Sequence, residues 1–154
     1  MTIAPRLKSH LDARGLPYDV VTHPHTTTAS EAAEAAHVPG DCLAKSVLVD
    51  MDRGRALAVV PSTRQVDLHG LQWILETPVV LASEEEVAAV FDDCATGAVP
   101  PVGAPHDLPT VLDERLKGLA TVWFEAGDHE TLVRMRGADF DVLMADAREG
   151  AVCH

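Results

Sequence analysis

Short amphipathic segments and short apolar segments alternate along the whole chain. The amphipathic segments predict helices over residues 7–14, 26–37, 67–75, 84–91 and 139–147. The apolar segments, rich in β-branched residues, predict strands over residues 18–21, 45–51, 55–61, 78–81, 110–113, 121–126 and 130–135. Because hairpins and helices are interspersed, the pattern predicts an α+β fold with a mixed or largely antiparallel sheet.

Local signals mark where some of these elements begin and where regular structure fails. Glu31 follows Thr28 by three residues, which is the spacing of a capping box at a helix N-terminus. Residues 96–105 contain three prolines and two glycines, which together exclude a regular helix or strand.

Length and composition narrow the class of protein. A chain of 154 residues can bury a hydrophobic core without stabilisation by disulfides or metal ions, and we expect a single domain over residues 1–154. The chain lacks the roughly 18 consecutive apolar residues of a membrane helix, so no membrane partner is expected. Three separated cysteines without a CxxC pair are typical of a reducing environment, which predicts a cytoplasmic protein.

The charge balance limits which partners the protein can bind. Acidic residues outnumber basic ones 24 to 12, and the formal net charge is -12. Such a surface repels phosphate backbones, which argues against DNA and confines any RNA contact to a local patch or a terminus.

Most familiar catalytic motifs are absent from the sequence. None of the eight histidines lies in an HExxH or related spacing, so surface or core histidines are the favoured interpretation and no metal is predicted. There is no GxSxG elbow and no glycine-rich phosphate loop. Cys42 precedes a strand, but no neighbour in sequence would activate its thiol.

Two features remain as candidates for chemistry. Lys45 begins a very apolar strand, where it either protects a sheet edge or meets an anion. The loop from Gly97 to Pro101 is either a structural turn or a rigid element that presents backbone N–H groups beside a pocket. The residues alone leave both pairs of alternatives open.

Taken together, these two stretches resemble a known family. Residues 43–49, with Lys45, and residues 97–113, with a GxxxP loop followed by LPxxxD, resemble the YbaK/prolyl-tRNA-synthetase-associated editing domain family of aminoacyl-tRNA deacylases. The similarity extends from about residue 7 to residue 144. Either motif alone is weak evidence, and the two at this separation are much more specific.

The resemblance implies a fold and an activity. The fold would be a compact mixed, mostly antiparallel and partly barrel-like sheet wrapped by helices. The activity would be hydrolysis, in trans, of the ester that joins a wrong amino acid to a tRNA 3′ end. Family members generally use no metal, no cofactor and no protein nucleophile, since water or the substrate's own side chain attacks the ester.

The resemblance also implies roles for particular residues. Lys45 would contact the terminal phosphate or ribose of the tRNA, and the amides at Gly97 would hold the ester carbonyl. Pro101 would keep the loop rigid, and Gly103 belongs to the same substrate-binding segment.

Further substrate-binding candidates lie at two other places. His25 and Thr28, near the start of the second predicted helix, could line the pocket. The turn after the sixth predicted strand carries Asp128 and His129, which either contact substrate or form a plain exposed hairpin turn. Cysteinyl-specific members carry an aspartate where this chain has Leu132, which argues against cysteinyl specificity.

The expected partners follow from the activity and the charge. An acidic editing protein would recognise mainly the acceptor end of an aminoacyl-tRNA, with an aminoacyl-tRNA synthetase as a possible second partner. The alternative is a non-catalytic module that binds an aminoacyl group or nucleotide, or docks on a synthetase. An unrelated small hydrolase is the third interpretation.

Overall fold

A computed structural model describes residues 3–154, where five α-helices surround one eight-stranded sheet. The helices are α1 (Pro5–Arg14), α2 (Ala29–Ala35), α3 (Leu68–Leu75), α4 (Glu84–Val90) and α5 (Gly137–Leu143). The strands are β1 (Asp19–Thr22), β2 (Leu43–Met51), β3 (Arg55–Pro61), β4 (Val79–Leu81), β5 (Thr110–Asp113), β6 (Thr121–Glu125), β7 (Thr131–Arg136) and β8 (Arg148–Gly150). None of the helices in residues 3–154 is long and apolar enough to span a bilayer.

The sheet is mixed and mostly antiparallel, as predicted. Its strand order is β1-β7-β6-β2-β3-β5-β8, with β4 paired to β2. The β2–β3, β6–β7, β1–β7 and β2–β4 pairs are antiparallel, whereas β2–β6, β3–β5 and β5–β8 are parallel. The predicted α+β class is therefore confirmed.

Two strands, β6 and β4, pair with different parts of the same edge of β2. Its first two residues, Leu43 and Ala44, pair with β6, and its last three, Val49–Met51, pair with β4. Among residues 3–154, no strand pairs with Lys45–Leu48 on that edge, although the amide of Ala82 donates a hydrogen bond to the carbonyl of Leu48. The sheet therefore opens at the middle of β2, and this opening positions the site described below.

The interior packs on both faces of the central β2–β3 hairpin. Leu57 and Val59 of β3 join a large cluster with α1 and α5, while Ala56, Ala58 and Val60 face a second cluster that includes α3. The alternation of a strand sends successive side chains to opposite faces. Because both faces are covered, the hairpin is apolar on both sides.

Side-chain caps fix the beginnings of two helices. The hydroxyl of Thr28 accepts a hydrogen bond from the amide of Glu31, so α2 begins at Ala29 rather than at residue 26. Ser83 and Glu86 form a reciprocal capping box at the start of α4.

The predicted terminal helix over residues 139–147 is wrong at both ends. Helix α5 begins at Gly137 and ends at Leu143, and the chain then forms β8 beside β5. The carboxylate of Asp113 accepts a hydrogen bond from the amide of Val152, and Gln65 pairs with His154 through the backbone. These partners are far away in sequence, so no local pattern could indicate them.

Candidate active site

A cavity of about 370 Å³ lies at the opening of the sheet beside β2. Its walls come from β2, the start of α2, the β4–α4 segment, the loop at residues 96–99 and the end of β6. The lining residues are Thr27, Thr28, Ala29, Lys45, Ser46, Val47, Leu48, Leu57, Leu81, Ala82, Glu84, Val87, Phe91, Thr96, Gly97, Val99 and Glu125. This size suits a small organic group rather than a polymer.

Lys45 lines this cavity from β2. Its backbone pairs with Val60 of β3, and its side chain is half-buried. Burial lowers the pKa of Lys45, because an ammonium loses water there. The salt bridges among residues 3–154 do not include Lys45, so its charge is available to an anionic group that enters the cavity.

Gly97 faces the same cavity from the proline-rich loop. Its φ of +88° lies in the region that side chains avoid. A Cβ at this position would lie 3.0 Å from the carbonyl oxygen of Thr27 and 3.1 Å from Cε1 of His129. The backbone here is therefore closely packed, and only glycine fits without strain.

Two side-chain hydrogen bonds hold this loop in place. The hydroxyl of Ser46 donates to the carbonyl of Val99 at 2.8 Å, beside Lys45. Nε2 of His129 lies 2.5 Å from the carbonyl oxygen of Thr96, and because a carbonyl only accepts, Nε2 is the nitrogen that donates. The loop is thus fastened to β2 on one side and to the β6–β7 turn on the other.

The other predicted residues divide into those near the cavity and those away from it. Thr28 lines the cavity and also caps α2. His25 is not among the lining residues, but its ring packs edge-on against His129 with the centroids 5.4 Å apart. His129 is buried, so the alternative of a plain exposed turn is wrong for this residue.

Asp128 organises the turn rather than lining the cavity. Its carboxylate accepts hydrogen bonds from the amide of Glu130 at 2.9 Å and from the hydroxyl of Thr131 at 3.0 Å. Pro101 and Gly103 are buried outside the cavity. Gly103 packs against Leu108 and Thr110, where a Cβ would clash, so its place in the fold is explained by packing.

Sequence reasoning missed Glu125. It ends β6, is only 2% exposed and lines the cavity. Neither carboxyl oxygen has a hydrogen-bond partner within the described part of the chain. Burial, reinforced by the charge of Asp128, raises the pKa of Glu125 from 4.5 to about 8. The available signal was a carboxylate inside the apolar run of residues 121–126.

The hydroxyl groups of the cavity are mostly engaged in structural hydrogen bonds. The hydroxyl of Thr27 donates to Glu31 at 2.7 Å, that of Thr28 caps α2, and that of Ser46 holds Val99. None of these three is hydrogen-bonded to a histidine or a lysine that would activate it as a nucleophile. The hydrogen bonds of these three hydroxyl groups therefore give no support to covalent catalysis by any of them.

Comparison with protein families decides the class of protein. Residues 23–143 match the family described as the aminoacyl-tRNA editing domain. The chain belongs to this family. The matched segment contains the Lys45 strand, the Gly97 loop and Glu125. The family predicted from the sequence is confirmed. The predicted enzyme class, an aminoacyl-tRNA deacylase, is confirmed at the level of the family.

Individual relatives agree with this assignment. The proline–tRNA ligase of Lactobacillus gasseri is 26% identical over 121 residues, which are 79% of this chain and 21% of that protein. The chain therefore spans about a fifth of the length of this curated relative. A crystal structure described as a "putative trans-editing enzyme for prolyl tRNA synthetase" is 32% identical, with a TM-score of 0.84 over 98% of this chain and 96% of that one.

A more distant solved structure shares the fold. The hypothetical protein APE2540 is 22% identical to this chain and superposes with a TM-score of 0.85, covering 97% of this chain and 99% of that one. At this identity the likeness concerns the architecture alone.

Proposed function

We propose that this protein hydrolyses the ester of mischarged tRNA in trans and without a metal, with Lys45 and the loop from Gly97 to Pro101 positioning the substrate. The supporting observation is that Lys45 and Gly97 line one cavity, at the point where the sheet opens. A match to an editing family and a 32% identical neighbour described as a "putative trans-editing enzyme" support action in trans.

The proposed reaction is the addition of water to an ester carbonyl. The oxygen of water bonds to the carbonyl carbon, the bond from that carbon to the ribose oxygen breaks, and the ribose oxygen takes a proton. Backbone N–H groups at Gly97 would stabilise the oxyanion that forms in between. An aminoacyl ester is already activated, so orientation and charge stabilisation are a sufficient contribution.

In this proposal Lys45 contacts the tRNA side of the ester. A half-buried ammonium at the cavity wall suits the terminal phosphate or the ribose hydroxyls. Thr28 lines the same cavity, while His129 holds the loop through the carbonyl of Thr96 and His25 packs against His129. Asp128, Pro101 and Gly103 would act indirectly, by holding the turn and the loop.

The substrate is proposed to be recognised mainly at its acceptor end. With a net charge of -12, the protein offers little attraction to the body of a tRNA, so binding should depend only weakly on salt. The named relatives point to tRNA charged by prolyl-tRNA synthetase as the first substrate to test, and to that synthetase as a partner. Because such a substrate would be met in the cytoplasm, the predicted cytoplasmic location is part of the proposal.

The amino acid that is removed is proposed to be one other than cysteine. Leu132 stands where cysteinyl-specific members have an aspartate, and its side chain is fully buried in an apolar cluster with Ala33 and Leu43. A leucine in that cluster offers no hydrogen-bond acceptor to a thiol.

A panel of mischarged tRNAs tests the proposal. We expect the wild type to release at least one amino acid, and Lys45→Ala to lose that activity while Lys8→Ala, which changes an exposed lysine on α1, retains it. Thermal unfolding of each variant separates lost activity from lost folding. Turnover of no member of the panel would overturn the proposal and favour a non-catalytic binding module.

A further inference from the structure

A buried carboxyl group lines the cavity. Glu125 is 2% exposed, and both of its oxygens lack a hydrogen-bond partner among residues 3–154. Burying such a group without a partner is unfavourable, since it loses water and gains no compensating bond. A feature of this kind inside a ligand-sized cavity indicates that the ligand supplies the missing partner.

The rest of the cavity does not offer Glu125 a partner of its own. Lys45 is in the same cavity, but it forms no hydrogen bond or salt bridge with Glu125 in the described structure. Three of the cavity's hydroxyl groups are engaged elsewhere, and most other lining side chains are apolar. An unpaired acceptor in apolar surroundings binds a hydrogen-bond donor strongly, and a cationic donor most strongly.

Local hydrogen bonds tie Glu125 to the loop that would hold the ester. The amide of Ala95 donates to the carbonyl of Gly127 at 2.7 Å, and His129 bonds the carbonyl of Thr96. The chain just before Gly97 is thereby linked to the turn that follows Glu125. A carbonyl-binding element and a carboxylate are thus brought together on one side of the cavity.

The chemistry of an aminoacyl ester matches this pair of groups. Its ester carbonyl is separated by a single carbon atom from an ammonium group, so the sites for the two must be neighbours. Uncharged tRNA has no such ammonium at its 3′ end. We propose that Glu125 binds the α-ammonium group of the aminoacyl ester while the Gly97 loop holds the adjacent carbonyl.

This inference rests on the proposed function and adds a specificity rule to it. The enzyme would accept esters of α-amino acids and discriminate against acyl esters without the amino group, whatever their side chains. The charge of Asp128 in the next turn raises the pKa of Glu125, so Glu125 gains most from a cationic partner that stabilises its ionised form. Glu125 would serve as a binding residue and not as the nucleophile.

The test compares one tRNA carrying either an amino acid or the 2-hydroxy acid with the same side chain. Each enzymatic rate is divided by the uncatalysed rate of the same ester. A hydrogen bond to a charged group predicts that the wild type prefers the amino substrate on the order of 10- to 100-fold. In Glu125→Gln that preference should fall to within about threefold, because an amide cannot give up a proton and become charged beside the ammonium group.

The matched control is Glu84→Gln. Glu84 lines the same cavity but is exposed at the start of α4, so this variant should keep the wild-type preference. Loss of the preference in both variants, or in neither, would overturn the role of Glu125. A change in selectivity among side chains, with the amino preference intact, would overturn it as well.

A binding measurement separates this inference from the proposed function. The probes are 3′-deoxyadenosine carrying a 3′-aminoacylamide, which cannot be released as an ester, and the same compound without the α-amino group. If no ester is hydrolysed but the wild type binds the first probe at least about tenfold more tightly, the deacylase proposal fails and the role of Glu125 stands. Equal affinity for both probes overturns the role of Glu125, and this comparison in the wild type does not depend on whether a variant folds.

Discussion

Replacing Glu125 by glutamine should change how the stability of the protein depends on pH. In the folded protein, burial and then the charge of Asp128 raise the pKa of Glu125 from 4.5 to about 8. Between these two values the folded protein keeps a proton that the unfolded chain has lost. Folding stability therefore falls as the pH rises through this window, and Glu125→Gln removes that fall.

The magnitude follows from the size of the pKa shift. One pKa unit corresponds to about 1.4 kcal/mol. Between about pH 5 and about pH 9, the wild type should lose about 4 kcal/mol of unfolding free energy relative to Glu125→Gln. For a chain of this length, that difference corresponds to about 10 °C in the unfolding temperature.

The assay is urea unfolding of both proteins at a series of pH values, followed by circular dichroism. Other titrating groups, including His10 and His106, whose pKa values are lowered by burial, contribute equally to both proteins and cancel in the difference. Glu84→Gln serves as the control, because an exposed carboxylate should leave the pH profile parallel to that of the wild type. Parallel profiles for the wild type and Glu125→Gln would refute the argument that this carboxyl group is buried without a partner.

Four further substitutions, one of them a control, test other parts of the structure. Gly97→Ala should destabilise the fold by about 2–3 kcal/mol and reduce deacylation, because strain at positive φ adds to close contacts with Thr27 and His129. Gly54 has a φ of +92° with open space around it, so Gly54→Ala should lower the free energy of unfolding in urea by only about 1 kcal/mol. Equal losses of stability for Gly97→Ala and Gly54→Ala would contradict the packing argument. Lys45→Met should abolish deacylation without lowering the unfolding temperature, since burial disfavours the ammonium in the folded state. A drop of several degrees in the unfolding temperature would instead assign Lys45 a structural role. Ser83→Ala removes the capping box of α4 and should lower the free energy of unfolding in urea by about 1 kcal/mol. An unchanged free energy of unfolding would show that this cap is not formed.

Local signals in the sequence were reliable where the structure depends on near neighbours. The cap at Thr28 involves residues three positions apart and formed as the pattern indicates, and the capping box at Ser83 spans the same distance along the chain. The β2–β3 hairpin is equally local. The joint presence of the Lys45 strand and the GxxxP loop indicated the family, although the sequence alone did not show that they share a cavity.

Residues whose environment comes from distant segments were beyond this reasoning. Gly103 shares a loop with Gly97, yet it packs against Thr110 outside the cavity. The strand at residues 148–150 exists because β5 is available beside it, while its own three residues have no strand pattern. A tertiary neighbour decides such cases because pairing and packing act between segments far apart along the chain.

The sequence by itself determined most of the helices and strands, the α+β class and the editing family, because periodicity, caps and motifs are recorded in neighbouring residues. Only the tertiary structure decided that one edge of β2 has no strand partner at Lys45–Leu48 within residues 3–154, that Gly97 faces this opening, and that Glu125 is buried there without a hydrogen-bond partner among the described residues. The physical reason is that burial and the absence of a hydrogen-bond partner are properties of the space around a side chain. That space is enclosed by segments from β2, α2, α4, the proline-rich loop and β6, which meet only when the chain has folded.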